Sequence, residues 1–329
     1  MCPPTAGTTG DLPPIGSDAM CVDAGVAPLD EVEIQAIPPI SEGEAALLDA
    51  HSLINAFHAL MGQLDVLGYA LSGRDNTLQP AIAVCEQMLE GLGDTERGMA
   101  EALAMPRYDA QIMTLLSAAL DRYADQRHDP VVEAGVTVVR HVLDVLGVRA
   151  CEYLARRKTP HLWVELSAGE LRSGLMEFFR VVEANAGGRF GVVFTDGPRR
   201  ANDYRVDLRF GRDDEVVRLP DTLRDVMRDL AANARKYTAP GGTIVVSLGN
   251  PGGSLCLAVS DTGRGIPAEE LETVVQFGCR GTNVFDVRAL GGGFGLTKAF
   301  LTAKRFGGRF WIASRLGVGT RVRLEVPGA

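Results

Sequence analysis

From Leu47 to Leu71 apolar side chains recur with helical spacing, through Leu48, Ile54, Met61, Leu64 and Leu67. His51, Asn55, His58 and Gln63 fall in the same cadence, which is the period of a helix. Ser41 with Glu44 three residues on supplies a capping-box start, and Gly73 to Asn76 supplies a stop. Residues 78–92, 96–104 and 108–128 also carry helical spacing, with Leu92-Gly93, Pro106 and Asp129-Pro130 as breaks. Val131 to Arg157 predicts a last long amphipathic helix, ended by Lys158-Thr159-Pro160. No strand-like run precedes Leu162, so the first half is expected to be wholly helical.

The pattern changes after Pro160. Helices are expected over Leu171 to Ala184, Asp221 to Lys236 and Leu296 to Phe306. Strands are expected over Phe190 to Phe194, Tyr204 to Phe210, Thr243 to Leu248, Leu255 to Ser260, Arg309 to Ser314 and Thr320 to Val326, separated by glycine and Pro-Gly turns. Strands grouped with helices, without strict alternation, predict an α+β sandwich with helices on one face. Residues 1–40 differ from both halves: Pro3, Pro4, Pro13, Pro14, Pro28, Pro38 and Pro39 among small residues predict a disordered arm. The expected organisation is this arm, a helical domain over 41–160 and a mixed domain over 161–329.

Composition narrows the function classes. The chain has 329 residues, 46 % hydrophobic and 23 % charged, which suits two domains with packed cores. A net charge of −9 argues against a nucleic-acid surface. Cysteines at 2, 21, 85, 151, 256 and 279 form no CxxC pair, as expected of reduced thiols in a cytoplasmic protein. No stretch approaches the ~18–20 uninterrupted apolar residues of a membrane span, and the N-terminus lacks the basic and apolar regions of a signal peptide.

Four short blocks in the second half carry candidate chemistry. Asp229, Asn233, Lys236 and Tyr237 share one helix face by their spacing. An amide oxygen suits Mg²⁺, which prefers oxygen ligands and substrate phosphates, and a lysine one turn on neutralises phosphate charge. The plainer reading is a solvated helix face. Asp261, Gly263, Gly265 and Ile266 follow directly on an apolar strand. A carboxylate there is placed to accept a hydrogen bond from adenine's exocyclic amine, with glycines letting backbone approach the base; the plainer reading is a turn. Gln276-Phe277-Gly278 comes next, then Gly291, Gly293, Gly295 and Leu296 at the start of a helix, where backbone amides and the dipole attract phosphate. No Gly-Lys-Ser/Thr follows, so it is not a Walker loop.

In this order the blocks resemble the N, G1, F and G2 boxes of the GHKL superfamily, with wording most similar to the sensor histidine kinases of two-component systems. The resemblance continues through Phe306-Gly307-Gly308-Arg309 and Ser314 to Thr320 and covers about residues 163–329. It implies a Bergerat ATP-binding fold in which Asn233 and Asp229 hold Mg²⁺ and Asp261 reads adenine. Lys236 and the glycines Gly291, Gly293 and Gly295 would cradle phosphate, and Thr320 would support the adenine end. Phe277 to Leu290 would form a lid, with Arg280 a candidate γ-phosphate contact. Asp229 stands where the family often has Glu, Asn or His.

The same resemblance makes the helical half a dimerisation and phosphotransfer bundle. Ala50 to Asn55 is similar to the family's H-box, with His51 as phosphoryl acceptor and Asn55 one turn on as a residue that orients water in the reverse reaction. Neutral imidazole is a good nucleophile near pH 7. Ser52 replaces the usual acid, and His58 is the competing acceptor. Residues 74–128 exceed what a two-helix unit needs and would be an insertion. The implied protein is a cytoplasmic, homodimeric histidine kinase using ATP and Mg²⁺ and serving a separate response-regulator receiver domain, with a partner protein as a possible source of its signal. The alternatives are an ATP-independent phosphotransfer adaptor, and a GHKL ATPase or anti-sigma-type serine kinase.

Overall fold

The computed structural model describes residues 29–74, 76–184, 186–194, 199–284 and 292–328. They fall into two units, Pro39–Pro160 and a second that joins the segment ending at Pro38 to the chain from His161 onward.

The first unit is helical. Its long elements are α1 (Glu42–Ser72) and α5 (Pro130–Lys158), with α2 (Gln79–Gly91), α3 (Thr95–Leu103) and α4 (Met105–Arg122) between them in sequence. The predicted capping box opens α1: Glu44 donates its N–H to Ser41 Oγ at 3.3 Å, and Ser41 donates its own to Glu44 Oε2 at 2.7 Å. Gly73 closes the helix at φ 68°, a left-handed conformation that glycine adopts without strain. Pro106 marks the break between α3 and α4 as its sequence position suggests. It sits in the first turn of α4, where no intrahelical N–H is needed. Leu53, Phe57, Leu60, Leu64, Leu67 and Leu71 form the buried stripe of α1, packed in one core with Val139, Leu143, Leu146 and Tyr153 of α5 and with Ile112 and Leu116 of α4.

The second unit is a seven-stranded mixed sheet with three helices. Its strands are β1 (Glu31–Glu33), β3 (Val192–Val193), β4 (Tyr204–Arg209), β6 (Thr243–Gly249), β7 (Ser254–Asp261), β8 (Arg309–Arg315) and β9 (Gly319–Pro327). They lie in the order β1-β8-β9-β7-β6-β4-β3, while β2 (Trp163–Ser167) and β5 (Val216–Pro220) pair as a separate ribbon. One core joins Val322, Leu324 and Val326 of β9 to Phe179 of α6 (Ala168–Ala184), Val226 and Leu230 of α7 (Thr222–Tyr237), and Ala299 and Phe300 of α8 (Gly295–Arg305). Arg321, Arg323 and Glu325 alternate with those β9 residues and so face the other side. This is the expected α+β sandwich preceded by a helical region.

Two features depart from the sequence reading. The ribbon β2–β5 had no recognised strand signal. The proline-rich arm, expected to be disordered through residue 40, contributes β1 to the sheet; residues 1–28 of that arm lie outside the described residues. Glu31, Val32 and Glu33 pair antiparallel with Ala313, Ile312 and Trp311. Ile34, only 1 % exposed, donates its N–H to Phe310 O at 2.9 Å. Arg323 grips Glu31 through two nitrogens while its guanidinium lies 3.7 Å from the Trp311 ring centre, and Arg309 pairs with Glu33 at 2.9 Å. The pairing partners are contributed by distant sequence, so a three-residue strand needs no periodicity of its own. Ile34→Ala is expected to lower the stability of this unit by about 2–4 kcal/mol. Both tryptophans, Trp163 and Trp311, belong to it, so urea unfolding followed by their fluorescence reads this loss directly.

Candidate functional site

The site is assembled on α7. Leu223, Val226, Met227, Leu230, Ala231 and Ala234 bury one face of this helix in the sheet core. The 3.6-residue period then leaves Asp229, Asn233, Lys236 and Tyr237 half-buried on the other. All four predicted residues of the first block therefore share one surface. Lys236 Nζ lies 5.2 Å from the ring centre of Tyr237, and the Tyr237 carbonyl accepts the Arg264 N–H at 3.1 Å.

The glycine-rich turn meets this surface from α8. A Cβ at Gly295 would lie 2.9 Å from Asn233 Nδ2, so only glycine lets the first turn of α8 come this close to the amide. Leu296, next in the chain, packs its half-buried side chain on the core. Gly293 has φ 79°, and Phe294 stacks on Phe277 with ring centres 4.7 Å apart, which ties the F-like block to the glycine turn. Gly291 and the lid stretch 285–290 lie outside the described residues. Arg280 donates to Val284 O at 3.1 Å.

Asp261 ends β7 opposite Thr320 of β9. It is 7 % exposed, and the Gly263 N–H donates to its Oδ1 at 2.8 Å. Burial pushes its carboxyl up to about 7, against the opposing pull of the Gly263 and Thr320 backbone hydrogen bonds. At Gly265, φ is 73° and a Cβ would strike Arg315 O at 2.1 Å. Ile266 donates its N–H to Ser314 Oγ at 2.8 Å, and Ser314 Oγ lies 2.8 Å from Thr320 Oγ1. One serine hydroxyl thus links the second block to Thr320. Beside these residues opens a cleft of about 770 Å³ lined by Lys236, Tyr237, Thr262 and Gly263, with Arg235 and Arg264 adding positive charge.

Three contributors escaped the sequence reading: Ser314 in the role just described, Lys298 and Asp225. Lys298 of α8 is buried, with Nζ 3.2 Å from Asp229 Oδ2 and 3.5 Å from Asp225 Oδ2. No local signal marks a lysine in a helix as buried; only the acids on another helix reveal it.

The remaining predicted residues stand in the helical unit. His51 is 7 % exposed on α1, and the Asn55 amide Nδ2 lies 3.0 Å from its Nε2. Asp49 pairs with Arg157 of α5 at 3.2 Å, and Arg157 also donates to Thr95 Oγ1 at 2.7 Å. His58 is exposed. Among the described residues no helix is long and apolar enough to cross a membrane.

Residues 218–329 match the family described as histidine kinase-, DNA gyrase B- and HSP90-like ATPase. This part of the chain carries a domain of that ATPase family. Over 109 residues it is 37 % identical to the adaptive-response sensory kinase SasA of Synechococcus elongatus, covering 33 % of this chain and 28 % of that protein. It is 32 % identical over 130 residues to the sensor histidine kinase ZraS of Escherichia coli O157:H7, covering 39 % of this chain and 27 % of ZraS. It is 29 % identical over 210 residues to the histidine protein kinase DivJ of Caulobacter vibrioides, covering 63 % of this chain and 31 % of DivJ. The chain thus matches under a third of the length of these curated relatives. The residues of the domain fit a nucleotide on two grounds. A buried carboxyl at the end of β7 offers an oxygen acceptor to the adenine amine, and the glycine cradle at Asn233 and Gly295 leaves room that a side chain would fill.

Proposed function

We propose that this protein is a homodimeric, cytoplasmic histidine kinase that moves the γ-phosphoryl group of ATP to His51 and then to an aspartate of a separate receiver domain. The observation that carries this reading is the joint presence, in one chain, of the ATP-binding domain and of the His51–Asn55 pair on the long helix α1.

Each residue has a defined task. Asp261 accepts from the adenine amine, with Thr320 beside it; Lys236 and the turn of Gly293 and Gly295 face the phosphates; Asn233 offers its amide oxygen to Mg²⁺. Bound Mg²⁺ would neutralise charge between the phosphates, which is most of what phosphoryl transfer asks of a protein. His51 Nε2 supplies the nucleophile: an N–P bond forms, the bond from γ-phosphorus to the bridging oxygen breaks, and ADP leaves with that electron pair. Asn55 engages Nε2 beforehand, so this hydrogen bond must break first, and the ring must turn out of its buried setting.

The surface of the helical unit supports a two-fold partner. On α1, Ala59, Gly62, Val66 and Tyr69 are exposed at spacings of three and four; on α5, Val131, Ala134, Val138, His141 and Val148 fall in the same heptad register. Such stripes are seams for a second helix pair. Val66, 62 % exposed, and Val138, 39 % exposed, are apolar side chains that dimerisation would bury. Val66→Lys with Val138→Lys is expected to convert a dimer to a monomer in light scattering without loss of helix content.

Adenine recognition has a pH signature. The free carboxyl of Asp261 titrates near 7, and the ionised form accepts better from an amine, so protons compete with nucleotide. Affinity for ATP is expected to fall about tenfold between pH 8 and pH 6, level off above pH 8, and lose this dependence in Asp261→Asn. Calorimetric titration across that range checks it. For the activity itself, incubation with γ-labelled ATP and Mg²⁺ is expected to leave label that is acid-labile and alkali-stable, transferable to a receiver domain. A protein that binds nucleotide but takes no label would favour the adaptor or ATPase alternatives.

A further inference from the structure

Asp225, Asp229 and Asn233 occupy successive turns of one row on α7, and α8 meets that row with two residues three apart, Gly295 and Lys298. Gly295 faces the Asn233 amide, and Lys298 reaches both carboxylates. Lys298 is 6 % exposed and Asp225 2 %. An ammonium in such a place is tolerated only when it is paired, and removing its partner or the lysine itself leaves an uncompensated charge. The Arg228 guanidinium lies 3.7 Å from Asp225, so that carboxylate has a second cation beside it while Lys298 reaches Asp229 as well. Removing Lys298 would take the ammonium away from Asp229, one turn from Asn233.

We propose that Lys298 is a positioning residue of the phosphate end of the nucleotide site, holding Asp229 in an ion pair so that nucleotide-borne Mg²⁺ is left to Asn233. The inference rests on the ATP-binding reading above. The same ion pair registers the glycine turn of α8 against α7. A free Asp229 carboxylate would be a stronger oxygen ligand for Mg²⁺ than the neutral amide one turn away. The ammonium 3.2 Å from its Oδ2 occupies it instead. Asp229 therefore differs from the metal-binding role its place in the sequence suggests: it anchors Lys298.

The test is a Mg²⁺ titration of trinitrophenyl-ATP fluorescence on the full chain, with folding checked by circular dichroism. Asn233→Ala is expected to raise the Mg²⁺ midpoint about tenfold. Asp229→Asn, which leaves Lys298 paired with Asp225, is expected to stay within about twofold of the unaltered chain, because no metal ligand is lost. Lys298→Met is expected to lower the midpoint about fivefold by freeing Asp229. Adding Asp229→Asn to it should remove that shift, and Lys298→Arg should restore the original midpoint. The proposal is overturned if Asp229→Asn raises the midpoint as far as Asn233→Ala, or if the Lys298→Met shift survives the added Asp229→Asn. An unchanged midpoint with selective loss of ATP over ADP binding in Lys298→Met would overturn it in favour of a direct phosphate contact. If Lys298→Met does not fold, the Asp229→Asn arm decides alone. Failure of the unaltered chain to bind the probe would instead overturn the nucleotide-site reading.

Discussion

A His51→Ala chain is expected to bind Mg·ATP as the unaltered chain does and to carry no acid-labile phosphate. The loss should be at least about 10³-fold in label incorporated, since the nucleophile itself is gone and water on the same site forms no stable product. Binding is the internal control, because His51 belongs to the helical unit and the nucleotide residues to the other. His51→Gln gives the same outcome with less change in packing at this buried position, separating chemistry from stability. Label that survives both variants would move the acceptor, with exposed His58 next to be replaced.

Asn233→Ala carries the second large effect. The amide is the residue proposed to meet Mg²⁺, and its surroundings are built to hold it: Gly295 approaches to where a Cβ would lie 2.9 Å from Nδ2. Loss of the amide is expected to reduce phosphoryl transfer about 10²-fold or more, the scale typical of removing one preorganised group from a charge-stabilising site. Nucleotide binding without Mg²⁺ should change little, and binding with Mg²⁺ should weaken. Asn233→Asp, which keeps an oxygen at the same place, should recover part of the metal-dependent binding. A parallel loss in both metal conditions would mean that Asn233 serves packing alone. Gly295→Ala should reproduce much of the Asn233→Ala defect, since the added methyl displaces the same amide.

The buried setting of His51 sets a smaller consequence. If His51 is the acceptor, its ring is expected to leave the Asn55 contact before transfer. The exposed heptad stripes on α1 and α5 leave the opposite faces to α2, α3 and α4, whose side chains share the core of the same unit. Residues 74–128, read from sequence as an insertion, are therefore part of what holds α1 and α5 together.

By itself the sequence determined whatever depends on neighbours in the chain. The period of Leu53 to Leu71 made α1, Ser41 with Glu44 capped it, and alternation along β4 and β9 made strands, because these signals arise within one turn or one pleat. The spacing along α7 likewise put Asp229, Asn233, Lys236 and Tyr237 on one face, since a helical period is a local property. Only the tertiary structure decided what depends on distant partners. Glu31-Val32-Glu33 became a strand because β8 offered an open edge and two arginines gripped its acids. Lys298 and Asp225 entered the site because packing of α8 on α7 brought a buried ammonium between the carboxylates of Asp225 and Asp229. Asp261 titrates near 7 for the same reason: burial, which no single residue specifies, sets the cost of its charge.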